Sequence, residues 1–480
     1  MLYMKGASSL VGLFAEVGPY ILNEKLELMA NPYSWNKKAN LLFVEFGVGI
    51  GFSFCKNSTR TDIPCTQTNT TCSPCASSDS QIVSHNLAFL EQFLSGSDAL
   101  FPELNGRELF ITGESYAGVY IPTLAKAIVE SKALVGAVKL IGTWATDPCM
   151  DNKAQFGWLD ADINFALSKS VISTATHDAI KNRCTARFTK VGDRIRKVHT
   201  SECKGAWRLY DMATAGVGDA VHAREVPGLP MYVDPLNVYG PSTEVNIPGY
   251  IDGNRKSLGA TLSPNKVYHL ELGNNGYDNY HLEYAACNNN AVSGMPSMVQ
   301  VYQAIAAHVK AGTPGAEHLR TIVISSGDID PVVALQGTEA AVDAMAFPLA
   351  PGALRRPWFY NATGTSLEVM EKKPVAWGQA LHANDAGVQV GGFTATYDAG
   401  PGLELHFVTM RDSGHMVPQY APQKVEHVID ELLHKNTPLA PVLQKDWDTS
   451  SDEKFYGWNT TDGGDFTRWV GSAMSAAGWR

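Results

Sequence analysis

Short apolar runs alternate with helical stripes along most of this chain. Leu41-Leu42-Phe43-Val44, Leu109-Phe110-Ile111-Thr112, Ile322-Val323-Ile324 and Leu405-His406-Phe407-Val408 have the length and bulk of buried strands. Between the first two, Leu87, Leu90, Phe93 and Leu94 recur at the spacing of one helix face. A second stripe, Leu124, Ile128 and Val129, follows the second strand, and a third, Val425, Val428, Ile429, Leu432 and Leu433, starts after Pro422. Strands alternating with helices predict an α/β fold with a mixed, mostly parallel sheet flanked by helices. Residues 151–285 break the pattern: they are more polar, punctuated by Pro and Gly, and poor in strand signals. They read as an insertion that splits the sheet domain into segments 1–150 and 286–435. Residues 436–480, rich in Asp, Gly, Thr and Trp, have no assigned place. No repeat with a period of ~20–50 residues runs through the chain.

Composition removes several function classes. Only 18% of the 480 residues are charged and 45% are apolar, which argues against disorder and coiled coil. With 38 basic against 48 acidic residues the net charge is −10, so nucleic acid is not the expected partner. No apolar run reaches the ~18 residues of a membrane-spanning helix. Of the 8 cysteines, Cys72-Ser-Pro-Cys75 has a metal-like gap, but no second pair or His ladder accompanies it. Disulfide use is the expectation, with no metal and no cofactor. Sequons at Asn57, Asn69, Asn361 and Asn459 are candidate glycosylation sites and lean the same way. Met1-Leu2-Tyr3-Met4-Lys5-Gly6 is too short to be a secretory signal, which implies either a cytosolic protein or a missing front.

Chemistry concentrates in Gly113-Glu114-Ser115-Tyr116-Ala117-Gly118, a G-x-S-x-G pattern entered by a strand and left by a helix. That context is the nucleophile elbow, with Ser115 at the tip and the Tyr116 amide aimed at a developing oxyanion. A serine hydroxyl needs a base and an orienting acid, which in this arrangement come later in the chain, acid before histidine. Ser-Ser-Gly-Asp328-Ile-Asp330-Pro follows one predicted strand and supplies the acid from Asp328 or Asp330. Arg-Asp-Ser-Gly-His415-Met-Val-Pro follows another and supplies the histidine.

These motifs resemble the serine carboxypeptidases of the α/β-hydrolase fold, over residues 6–435. Gly113-Glu-Ser-Tyr-Ala-Gly118, Gly327-Asp-Ile-Asp330 and Gly414-His-Met-Val-Pro418 carry the resemblance. Asn31-Pro-Tyr-Ser-Trp35, Thr146-Asp-Pro148 and Ser297-Met-Val-Gln-Val-Tyr302 support it. The resemblance implies Ser115 as nucleophile, His415 as base and Asp330 as orienting acid. It makes 151–285 a cap over the substrate cleft and Met416 part of a leaving-residue pocket. It also pairs Glu114 with Glu16: two close carboxylates share a proton and can hydrogen-bond the free carboxylate of a substrate. The implied activity is release of C-terminal residues from peptides or proteins with a free C-terminus, at acidic pH. The implied location is the secretory pathway, vacuolar, lysosomal or extracellular.

Departures from the family gather at the front. The family's Trp-x-Asn-Gly-Gly-Pro-Gly-Cys-Ser-Ser becomes Leu2-Tyr3-Met4-Lys5-Gly6-Ala7-Ser8-Ser9. Met4 takes the position of the second oxyanion amide, Leu2 that of a carboxylate-binding Asn, and Ala7 leaves Cys287 without its family partner. Val44-Glu45-Phe46-Gly47 stands where the family has an Asp-Gln-Pro turn. A frayed end at Met4, missing first strands and weak activity are therefore expected. An acyltransferase using the same acyl-enzyme and a non-catalytic homologue are the alternatives.

Overall fold

The computed structural model describes residues 1–45 except 7 and 23–27, residues 47, 50 and 53, and then 78–95, 99–151, 154–155, 160–184, 187–191 and 194–198. It also describes 203, 205–206, 297–350, 353, 355–363, 386–435 and 464–476. Most of the 151–285 insertion, the Cys72–Cys75 pair, Cys287, Asn57, Asn69 and Asn459 lie outside these residues.

Eight strands form one sheet. In chain order they are β1 (Leu2–Lys5), β4 (Leu42–Phe43), β5 (Arg107–Glu114), β6 (Val138–Thr146), β9 (Thr321–Gly327), β10 (Arg356–Ala362), β11 (Gly387–Gly400) and β12 (Leu403–Met410). β2 (Tyr20–Leu22) pairs with β3 (Leu28–Ala30), and β7 (Arg187–Val191) with β8 (Arg194–Val198), as separate two-stranded units. The sheet order is β10-β11-β12-β9-β6-β5-β1-β4. Its pairings from β12 through β4 are parallel, and β10-β11-β12 is antiparallel. The expected mixed, mostly parallel sheet is present.

Strand periodicity sorts side chains between two cores. Leu2 and Met4, Leu109 and Ile111, and Ile322 and Ile324 face one core. Tyr3, Phe110 and Val323 face the other. On the first side α2 (Asp79–Leu94), α3 (Ala117–Glu130) and the helix Met298–Lys310 supply the apolar faces. On the second side Pro422–Asp430 and Gly464–Ala476 cover the sheet. The tail thus contributes a helix, anchored by fully buried Trp469 beside Phe359.

The front of the chain differs from expectation. Residues 2–5 do not fray: β1 is an interior strand, paired to β5 and β4, with Leu2, Tyr3 and Met4 at most 1% exposed. Three apolar side chains with a strand on either side hold it.

Candidate active site

The carboxyl ends of the parallel strands bring the predicted residues together, where open α/β sheets place their ligands. Glu114 ends β5 and Ser115 follows; Asp147 follows β6, Asp330 follows β9 and His415 follows β12. Ser115 adopts φ 64, the left-handed region that a non-glycine residue enters only when its surroundings enforce it. Here the Ser115 N–H donates to the Thr146 carbonyl at 3.0 Å, and its carbonyl accepts from Gly118 N at 2.8 Å and Cys149 N at 3.0 Å. Gly113 is required by close approach: a Cβ there would sit 1.7 Å from the Met4 carbonyl oxygen. Ser115 itself is only half-buried, as a nucleophile must be.

Of the two candidate acids, Asp330 reaches the histidine. Its Oδ2 lies 2.8 Å from His415 Nδ1, while its Oδ1 accepts from the Val332 and Val333 amides at 2.7 and 3.2 Å. Asp328 Oδ1 instead faces the Ser413 amide at 3.4 Å. Burial alone would lower the His415 pKa, but the Asp330 charge and hydrogen bond, with the Glu114 charge, raise it above 6.5. Among the described residues Ser115 makes no hydrogen bond to His415, a bond that ligand-free sites often leave long.

Asp147 stands behind this pair. It is fully buried, at φ 41, and its Oδ1 accepts from Gly327 N at 2.7 Å and Ser326 Oγ at 3.0 Å. Its other oxygen has no partner among the described residues. Burial, then the charge of Asp330, raises its pKa well above 3.8. Asp147, Asp330 and His415 offer ligand atoms within 4.8 Å of one another. An ion there would compete with the His415–Asp330 hydrogen bond. Beside Ser115 lies Cys149, a free thiol pushed up to about 12 by burial and the Asp330 charge, against an opposing interaction with the Ser115 hydroxyl.

Glu16 and Glu114 do meet, but not alone. Lys5, at the end of β1, places its ammonium between them, bonded to Glu16 Oε1 and, at 2.5 Å, to Glu114 Oε1. Tyr3 donates its hydroxyl to Glu16 Oε2. Asn31 donates to the Glu16 and Gly18 carbonyls at 3.0 and 2.9 Å, which fixes the backbone carrying Glu16. Burial, then the Glu16 charge, raises Glu114 to about 7 against the opposing charges of Lys5 and His415. For Lys5 burial opposes protonation, but both carboxylates outweigh it and raise its pKa above 10.5.

Met4 lies in register with Gly113, buried in β1, and Met416 is buried beside His415. Asn361 is exposed on β10. Cys184 and Cys203 form a disulfide. Gly6 presses on the elbow: a Cβ there would lie 2.3 Å from Tyr116 N. Gly6→Ala is therefore expected to displace that amide and lower kcat by about 10²–10³ with the fold retained. Steady-state kinetics beside a thermal melt check this, and unchanged kcat would place the oxyanion donors elsewhere.

A family model for serine carboxypeptidases matches residues 6–435. The chain belongs to the serine carboxypeptidase family. Serine carboxypeptidase-like 36 of Arabidopsis thaliana is 26% identical over 456 residues, covering 90% of this chain and 75% of that protein. The lysosomal protective protein of Mus musculus is 25% identical over 465 residues, covering 90% and 82%. A solved structure of Kex1(delta)p, a prohormone-processing carboxypeptidase from Saccharomyces cerevisiae, matches with TM-score 0.56 at 20% identity, over 89% of this chain and 81% of that one. That likeness shows the α/β-hydrolase fold.

Against the family's motifs, three residues gain a place that sequence reasoning did not assign. Lys5 had a signal, a charge closing the apolar run Leu2-Tyr3-Met4. Asp147 lay inside a supporting motif without a role. Glu45 accepts from Ser8 Oγ at 2.5 Å and Ser9 N at 3.1 Å, so it caps α1 (Ser9–Ala15); no pattern marked it.

Proposed function

We propose that this protein is a serine-type carboxypeptidase that releases C-terminal residues from peptides through an acyl-enzyme. The His415–Asp330 hydrogen bond at 2.8 Å, beside an elbow that carries Ser115 at positive φ, is the observation that supports this most. Ser115 Oγ attacks the scissile carbonyl carbon as His415 Nε2 takes the hydroxyl proton. Asp330 holds the Nδ1 proton and stabilises the imidazolium. The Tyr116 amide receives the oxyanion. His415 then protonates the leaving amine, the C–N bond breaks, and water attacks the acyl-enzyme by the same route. Glu114, with Glu16 held beside it through Lys5, recognises the leaving residue's carboxylate, and Met416 borders its side chain.

A secretory-pathway, vacuolar, lysosomal or extracellular location goes with this reading. The Cys184–Cys203 disulfide, the exposed sequon residue Asn361 and the mouse relative's name support it.

The test is a blocked dipeptide acid with analysis of both products. Release of the C-terminal amino acid is expected. Product formed only from an acyl ester plus an alcohol acceptor would make the protein an acyltransferase, and no labelling of Ser115 by a fluorophosphonate would make it non-catalytic. The pH profile follows from the charged groups. Because the base must be neutral, kcat falls as pH drops through the raised His415 pKa, which runs against the acidic preference that the family resemblance implies. For free-acid substrates alone, KM rises above about pH 7 as Glu114 ionises and ceases to be a donor. Profiles of matched acid and amide substrates that superimpose above pH 7 would remove Glu114 from carboxylate recognition.

A further inference from the structure

Lys5 is 2% exposed and bonds two carboxylates that are themselves 0–1% exposed. Three pieces of the chain bring this about: the end of β1, the end of α1 through Glu16, and the end of β5 through Glu114. An ammonium has three N–H donors, and two are engaged. Both oxygens of Glu16 are engaged, by Lys5 and Tyr3. Glu114 Oε2 is buried, with no partner among the described residues. Among the described residues one donor of Lys5 and one oxygen of Glu114 are thus without a partner, inside a buried cluster that adjoins the nucleophile, since Glu114 precedes Ser115 directly.

Leaving a buried carboxyl oxygen unmet is costly, which argues that something meets it in the working protein. The two open valences fit a planar group with two oxygens, one accepting from Lys5 and the other from a protonated Glu114. The charge sum points the same way. Two carboxylates without Lys5 would repel an arriving carboxylate; with Lys5 the cluster of Tyr3, Glu16, Glu114 and Lys5 carries one negative charge fewer. The titratable groups facing it from other elements are His415 and Asp147, both of which interact electrostatically with Glu114.

We infer that Lys5 is a specificity-determining residue, whose ammonium, braced by Glu16, receives the free carboxylate of the leaving residue, with Glu114 Oε2 as the second contact. In the family motif given above, this position is a proline. The inference rests on the carboxypeptidase reading for its substrate but not for its geometry.

The test compares a blocked dipeptide acid with its amide in four proteins: wild type, Lys5→Arg, Glu114→Gln, and Lys5→Met/Glu114→Gln. The double variant removes a cation and an anion together, so the buried site is not left with two uncompensated carboxylates. Expected is an acid-to-amide KM ratio about 10–100-fold higher in the double variant than in Glu114→Gln. Lys5→Arg keeps the acid preference. A purely structural ion triplet would instead alter stability and leave the acid-to-amide ratio alone; equal ratios in Glu114→Gln and the double variant overturn the inference. Calorimetric binding of the same acid and amide to Ser115→Ala proteins, with and without the Lys5 and Glu114 changes, needs no turnover. Absent turnover with Lys5-dependent acid binding sinks the carboxypeptidase reading and keeps Lys5. Turnover without such dependence does the reverse.

Discussion

Ser115→Ala is expected to lower kcat toward peptide acids by about 10⁴–10⁶ while leaving KM and the melting temperature close to wild type. The residue occupies a tight turn at φ 64, fixed by backbone bonds to Thr146, Gly118 and Cys149 rather than by its hydroxyl. Alanine therefore inherits the same backbone and loses only the nucleophile. His415→Ala should lose nearly as much, and the double variant little more, because the two act as one unit. Residual turnover would come from the oxyanion amides and from substrate binding. Kinetics and fluorophosphonate labelling followed by peptide mapping check this. Full turnover in Ser115→Ala, or labelling at another serine, would move the nucleophile.

Lys5→Met alone is the second large effect, and it falls on stability. Removing the ammonium leaves Glu16 and Glu114 buried together, and breaking one side of a buried ion pair costs about 3–5 kcal/mol. Glu114 is raised to about 7, by burial and then by Glu16, even with Lys5 opposing; without Lys5 it goes higher. A carboxyl whose folded pKa exceeds its unfolded value contributes stability below the unfolded pKa and loses it as pH rises through the folded one. The deficit relative to wild type is thus smaller at pH 5 than at pH 8. Urea unfolding at both pH values measures it. A deficit equal at the two values would mean that packing of the Lys5 stem, not its charge, holds the end of β1.

Much of the fold was legible because its signals are local. The runs at Leu109, Ile322 and Leu405 became β5, β9 and β12, and the stripe at Leu87–Leu94 became α2, since a doubly buried strand and a one-faced helix each print their period on the sequence. The front was not legible. Leu2-Tyr3-Met4 is too short to show a period, and only pairing with β5 and β4 makes it an interior strand. The tail escaped for a related reason: Trp469 finds Phe359 across more than a hundred residues, a contact no local pattern records.

At the site the same division holds. By itself the sequence determined the elbow around Ser115, the order of acid and histidine, and the family, because turn chemistry and motif spacing are properties of neighbours in the chain. The family resemblance pointed to Asp330 rather than Asp328, and the tertiary structure supplies the reason, since the Asp330 carboxylate reaches His415 while that of Asp328 faces the Ser413 amide. It alone decided that the Glu16 and Glu114 carboxylates enclose Lys5. The pKa values of Lys5 and Glu114 shift only when folding removes water and sets both, with Glu16, within bonding distance.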